Sequence, residues 1–287
     1  MGEYNYSPFL FNLHLMLYVI LYFCFEWLFA FHINDCRCFM LKIDNLNVSV
    51  DNKNILNGFN LEMEDGSIHV FMGPNGIGKS TISKVIMGDK NYNVTGSILY
   101  NGDNLLDLDV SDIAKKGIFL LNQSPMAIEG VSNAEMLRVA LNQKSDKPIN
   151  IFEFNKELES ICKKLELPKS FIHREINVGA SGGERKKTEL LHMWMLKPSF
   201  IILDELDSGL DVDALKICSK SILEYYETYK PTILIITHHT QILDYITPDK
   251  VHILGEGKIV MSGDVSLARK IESNGFVVAN ESNNENE

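Results

Sequence analysis

From Leu41 onward, short apolar runs alternate with stretches of helical periodicity, and this predicts an α/β layered domain. "LKIDNLNVSV", residues 41–50, alternates apolar and polar positions and reads as an edge strand. "SIHVFM" (67–72), "FIILDE" (200–205) and "TILIIT" (232–237) are continuous apolar runs bounded by turn or polar residues. Such runs suit central parallel strands covered on both faces. Gly73 opens a loop after the first of them, and residues 79–87 form the helix behind it. Residues 124–180 turn mostly helical: "NAEMLRVALNQ" and "FEFNKELESICKKLEL" place apolar residues at helix period, which predicts an inserted helical lobe. The expected domain covers residues 40–276. The acidic, Asn-rich tail, 277–287, has nothing to bury and is expected to be disordered.

The first 39 residues pose a separate question. "SPFLFNLHLMLYVILYFCFEWLFAF" is nearly uncharged and close to the length a bilayer requires. Glu3 and the absence of Lys or Arg among the nine residues before Leu10 argue against a standard signal peptide, and Tyr6 breaks the myristoylation pattern. Three readings stay open: a targeting leader, an extension upstream of a natural start at Met40, and a membrane anchor.

Composition narrows the class. An apolar fraction of 45% over 287 residues supports a sizeable core, and a net charge of −11 argues against a general nucleic-acid binder. Phosphate affinity must then come from a local cradle. The five cysteines, Cys24, Cys36, Cys38, Cys162 and Cys218, form no CxxC pair and no disulfide framework, which points to a reducing compartment.

Such a cradle is present. "GPNGIGKST", Gly73–Pro74–Asn75–Gly76–Ile77–Gly78–Lys79–Ser80–Thr81, fits G-x-x-x-x-G-K-[ST] between a strand and a helix. Glycines let backbone N–H groups turn toward phosphate oxygens, and the helix N-terminus adds partial positive charge. Lys79 reaches the terminal phosphates of ATP, and the Ser80 hydroxyl can ligate Mg²⁺. At the end of "FIILDE", Asp204 would hold Mg²⁺ through water, and Glu205 is placed to polarise an attacking water. Two adjacent acids ending an apolar strand would be costly as mere packing, because buried carboxylates need partners.

Further along, "GASGGERKK" carries Ser181, Gly182 and Gly183, followed by the basic run 185–187. Gln123 follows the strand "GIFLL", and His238 ends another apolar strand in "ITHH". The order phosphate loop, Gln, SGG, paired acids, "SGLD" and His resembles that of ATP-binding-cassette (ABC) ATPases. The resemblance implies a mostly parallel central sheet, an antiparallel β subdomain and an inserted helical lobe. It assigns Gln123 to Mg²⁺ sensing and ligation, His238 to the switch role and Glu205 to catalysis. It also implies that Ser181, Gly182 and Gly183 contact the γ-phosphate held by a partner's loop, so that hydrolysis needs ATP-dependent dimerisation, with Asp211 communicating across the seam.

Within that family, "DELDSGLDVDALK", "GGERKK", "THHTQILDYITPDKVHIL" and "GVSNAEMLRVALN" resemble the SufC family, the soluble ATPases of SUF iron–sulfur cluster assembly. That resemblance implies SufB and SufD scaffold proteins as partners, with no transmembrane permease and no nucleic acid. It also implies the cytoplasm or, if the leader is real, an apicoplast-type plastid. The energising subunit of an ABC importer is the alternative. Where the ABC family stacks an aromatic on adenine, "VSVDNKN" offers only Val48 and Val50, leaving the choice of ATP over GTP open.

Overall fold

The computed structural model describes residues 39–144 and 147–275. The leader expectation (all but Phe39) and the tail expectation lie outside the described residues.

The chain opens with a hairpin of β1 (Phe39–Val50) and β2 (Lys53–Glu64), then enters β3 (Ile68–Met72) and α1 (Lys79–Ile86). It continues through β4 (Asn93–Tyr100), β5 (Asp103–Asn104), α2 (Val110–Lys115) and β6 (Ile118–Leu121). A lobe follows, with β7 (Ile128–Ser132), α3 (Asn133–Lys144), α4 (Ile151–Lys164) and β8 (Glu175–Ile176). The second half comprises α5 (Gly182–Leu196), β9 (Phe200–Asp204), α6 (Val212–Tyr229), β10 (Thr232–Ile236), β11 (Lys250–Gly255), β12 (Lys258–Gly263) and α7 (Val265–Asn274).

The strands make a six-stranded sheet, β12-β11-β3-β10-β9-β6, in which only the β11–β12 pairing is antiparallel. A four-stranded antiparallel sheet, β2-β1-β4-β5, forms the β subdomain. Every residue of β3, β9 and β10 is buried. Their alternate side chains feed two different cores. Val70, Ile201, Leu203, Ile233 and Ile235 pack among α5, α6, α7 and the lobe. Phe71, Phe200, Ile202, Leu234 and Ile236 pack against α1 and the antiparallel sheet. The continuous apolar runs therefore reflect two covered faces, as expected of parallel strands.

One expectation needs correction. β1 is not an edge strand: it lies between β2 and β4 and pairs with both. Its alternation records one buried and one wetter face, which an inner antiparallel strand shows as readily as an edge. The lobe is mostly helical and also holds one short strand pair. β7 and β8 pair antiparallel where the chain enters and leaves it, through Ile128↔Ile176 and Ser132↔Glu175.

The lobe is anchored by a buried polar joint. Asn133 donates through Nδ2 to the carbonyls of Phe171 (2.9 Å) and Arg174 (3.2 Å). Its Oδ1 therefore accepts, and His192 Nε2, 2.7 Å away on α5, must carry the proton. Burial pulls the His192 pKa down to about 4. Unfolded, the same group titrates near its ordinary value of about 6.5. The unfolded chain thus binds the extra proton between those values, so the contribution of neutral His192 is complete above pH ~6.5 and is lost as the pH falls toward 4. Urea melts at pH 7 and pH 5 should show wild type losing on the order of 2 kcal/mol more than His192→Gln, which keeps a donor but does not titrate. Equal losses in the two proteins would contradict this.

Candidate functional site

The loop from Gly73 to Gly78 joins β3 to α1 at the carboxyl end of the parallel strands, where open α/β sheets bind ligands. Two glycines there are steric requirements. A Cβ on Gly73 would stand 2.9 Å from the Leu254 carbonyl oxygen of β11. Gly78 has φ 106°, and a Cβ there would stand 3.0 Å from both Ile55 Cγ2 and Leu56 Cδ2. Lys79 is buried, and its Nζ donates to the carbonyls of Gly73 (2.7 Å) and Pro74 (2.9 Å). Burial lowers its pKa, against the opposing pull of Glu205 and Asp204. The ammonium is thus poorly solvated, ready for an anion lying across the loop.

Asp204 ends β9 below this loop. Its carboxylate accepts from Ser80 Oγ and Ser83 Oγ, each at 3.1 Å. Burial raises the Asp204 pKa, and the two serine hydroxyls work against that rise. Ser83 carries no motif, and the sequence reading missed it.

Glu205 leaves the strand in the left-handed region, φ 47°, which a non-glycine residue adopts only where its surroundings enforce it. Its N–H donates to the Ile236 carbonyl at 2.8 Å, tying the turn to β10. The buried carboxylate accepts from Gln123 Nε2 through one oxygen, and the other lies 3.4 Å from His238 Nδ1. Gln123, Glu205 and His238 come from three separate loops and converge on one carboxylate.

Gln123 and Glu205 face a cleft of about 690 Å³, lined also by residues 75–81 and walled by Val50, Lys53, Asn54 and Ile55, whereas Asp204 and His238 stand behind its lining. The turn at Glu256 and Gly257 closes its far side. Val50 and Ile55 give an apolar wall, whereas Val48 is buried in the core and cannot reach a base. Apart from Val50, these wall residues escaped the sequence reading. The signal for them was the pair of tight hairpin turns at Asp51–Asn52 and Glu256–Gly257, all four with positive φ.

The structure does not bring Ser181, Gly182, Gly183 or Asp211 to this cleft. Ser181 caps α5, accepting from Glu184 N–H at 3.3 Å, while the Glu184 carboxylate accepts from Ser181 N–H at 2.8 Å. Asp211 caps α6 by accepting from Ala214 N–H at 2.7 Å. The two helix starts adjoin: a Cβ on Gly182 would meet the Gly209 carbonyl at 3.4 Å, and one on Gly183 the Ala214 Cβ at 3.6 Å. Exposed Val212 stands beside them.

A metal here would be held sparingly. No group of three His, Cys, Asp or Glu side chains suited to a metal occurs among the described residues. The Ser80 hydroxyl beside Asp204, within the phosphate loop, fits Mg²⁺, which keeps several waters and takes its other ligands from phosphate.

Comparison with known proteins agrees with this geometry. The family profile described as "ABC transporter" matches residues 56–208. The chain is 43% identical over 242 residues to the Escherichia coli (strain K12) protein named "Probable ATP-dependent transporter SufC", covering 83% of this chain and 97% of that one. It is 46% identical over 240 residues to a Streptococcus pyogenes "Probable ABC transporter ATP-binding protein", covering 83% of this chain and 93% of that protein. The solved dimeric structure of a bacterial ABC transporter cassette superposes with a TM-score of 0.69 at 20% identity, over 79% of this chain and 99% of the cassette. The chain belongs to the ATP-binding-cassette family of ATPases, among relatives that include SufC.

Proposed function

We propose that this chain is the ATP-hydrolysing subunit of a SUF iron–sulfur cluster assembly complex, whose closure on ATP moves a scaffold of SufB and SufD type. The observation that carries this reading is the 43% identity to the SufC relative over 97% of that protein's length. Among the described residues, no helix is long and apolar enough to cross a membrane.

The chemistry follows from the site. Loop amides and Lys79 take the phosphates, and the polarity of α1 favours the negative charge. Ser80, Gln123 and Asp204 would hold Mg²⁺, the last through water. The ion when bound neutralises charge on the β- and γ-phosphates. Glu205 accepts hydrogen bonds from an attacking water and orients it, while Gln123 and His238 hold the Glu205 carboxylate in place. Ser181, Gly182 and Gly183 complete the site of a second copy, whose own SGG segment completes this one.

The name of the Streptococcus relative, a probable ABC transporter ATP-binding protein, favours a transport reading, of which the energising subunit of an ABC importer is the form considered. One experiment separates the two. Affinity capture of the tagged chain from its own cells, followed by mass spectrometry, should recover SufB- and SufD-like proteins in near-stoichiometric amounts. Recovery of an integral membrane permease in their place would establish the importer and overturn the proposal.

A further inference from the structure

Gln123 sits in a loop of no regular structure, and its side chain is exposed. Its position against Glu205 depends on how the loop backbone is held. The Asn122 peptide just before it is gripped from both sides by α5. Lys186 Nζ donates to the Asn122 carbonyl at 2.5 Å, and Glu189 Oε1 accepts from the Asn122 N–H at 3.4 Å. Lys186 is 3% exposed and Glu189 8%, although Lys186 belongs to the basic run 185–187 at the helix start. At i and i+3 they share one face of the helix. At the other end of the loop, Asn177 Nδ2 donates to the Met126 carbonyl at 2.9 Å.

Two buried ionisable side chains on one residue's backbone are a costly way to pin a loop, since burial disfavours the charged form of each and raises the Glu189 pKa to about 8. Apolar packing would hold the loop less specifically. We propose that Lys186 and Glu189 are positioning residues for hydrolysis: by clamping the Asn122 peptide they set where Gln123 stands beside Glu205. The helix that Ser181 caps therefore also carries, within its first turns, the anchor of its own chain's Gln123.

The test uses the full chain and two independent readouts. Without nucleotide, hydrogen–deuterium exchange of the peptide spanning residues 118–127 reports on the clamp directly. Lys186→Met should speed exchange there, and Lys186→Arg, which keeps a donor, should leave it near wild type. With ATP and Mg²⁺, Lys186→Met should lower kcat by ~10–100-fold, the scale of loss from a sub-ångström to ångström misplacement. ATP affinity should change little, and Lys186→Arg should restore most of the rate. Because the effect runs through Gln123, adding Lys186→Met to Gln123→Ala should cost nothing further. Losses that multiply, or unchanged exchange at 118–127, would overturn the proposal. If Lys186→Met does not fold, Glu189→Met removes the other half of the clamp, and the same cycle with Gln123→Ala decides.

Discussion

Glu205→Gln should bind ATP almost as tightly as wild type and hydrolyse it ~10²–10⁴-fold more slowly, the loss that follows removal of a positioned general base. The geometry makes this substitution unusually clean. Gln has the shape of Glu and keeps an oxygen for the bond from Gln123 Nε2. The backbone bond from residue 205 to the Ile236 carbonyl is untouched. What is lost is the negative charge that draws a proton from water. Lys79→Ala should fail differently, by loosening nucleotide binding ~10–100-fold as a charge-assisted bond disappears. Phosphate release and the Kd of a fluorescent ATP analogue, measured on both proteins, separate the two defects. Near-normal turnover by Glu205→Gln would remove that residue from the catalytic role.

How much of this was legible in the sequence depended on what each residue had to satisfy alone. The phosphate loop was legible because each of its positions answers a steric or charge demand, and Gly73 and Gly78 face those demands in the structure. The runs behind β9 and β10 were legible because strands buried on both faces admit little but apolar side chains. The position of β1 was not, since alternation reports which face is wet and says nothing about how many neighbours a strand has. β7 escaped notice because its "IEGVS" is mostly exposed and too short to show a period. Ser83 is an ordinary helix serine until Asp204, 121 positions along the chain, is brought to it. Lys186 was hidden most thoroughly. In "GGERKK" it looks like its neighbours, and only the fold shows that its amine turns inward to a backbone carbonyl.

Mixing two inactive proteins should restore activity, and this is the sharper test of how the site is completed. Ser181 and its glycines lie on an exposed surface with Asp211 and Val212, away from the cleft that holds Lys79 and Glu205. On the proposed reading, an SGG segment so placed meets the γ-phosphate of another copy. Ser181→Asp suits the experiment, because aspartate still caps α5 while bringing a carboxylate against the phosphate. A dimer of Lys79→Ala has a damaged loop in both sites, and a dimer of Ser181→Asp has a repelling cap in both. A mixed pair contains one site built from the intact Lys79 of one copy and the intact Ser181 of the other. Equal mixing with free exchange makes half the dimers mixed, so turnover should return to about a quarter of wild type under saturating ATP. Sedimentation of Glu205→Gln with ATP should show more dimer than without nucleotide, because the trapped substrate joins the two faces. A mixture no more active than its separate components, or full activity in Ser181→Asp alone, would rule out a site shared between two chains.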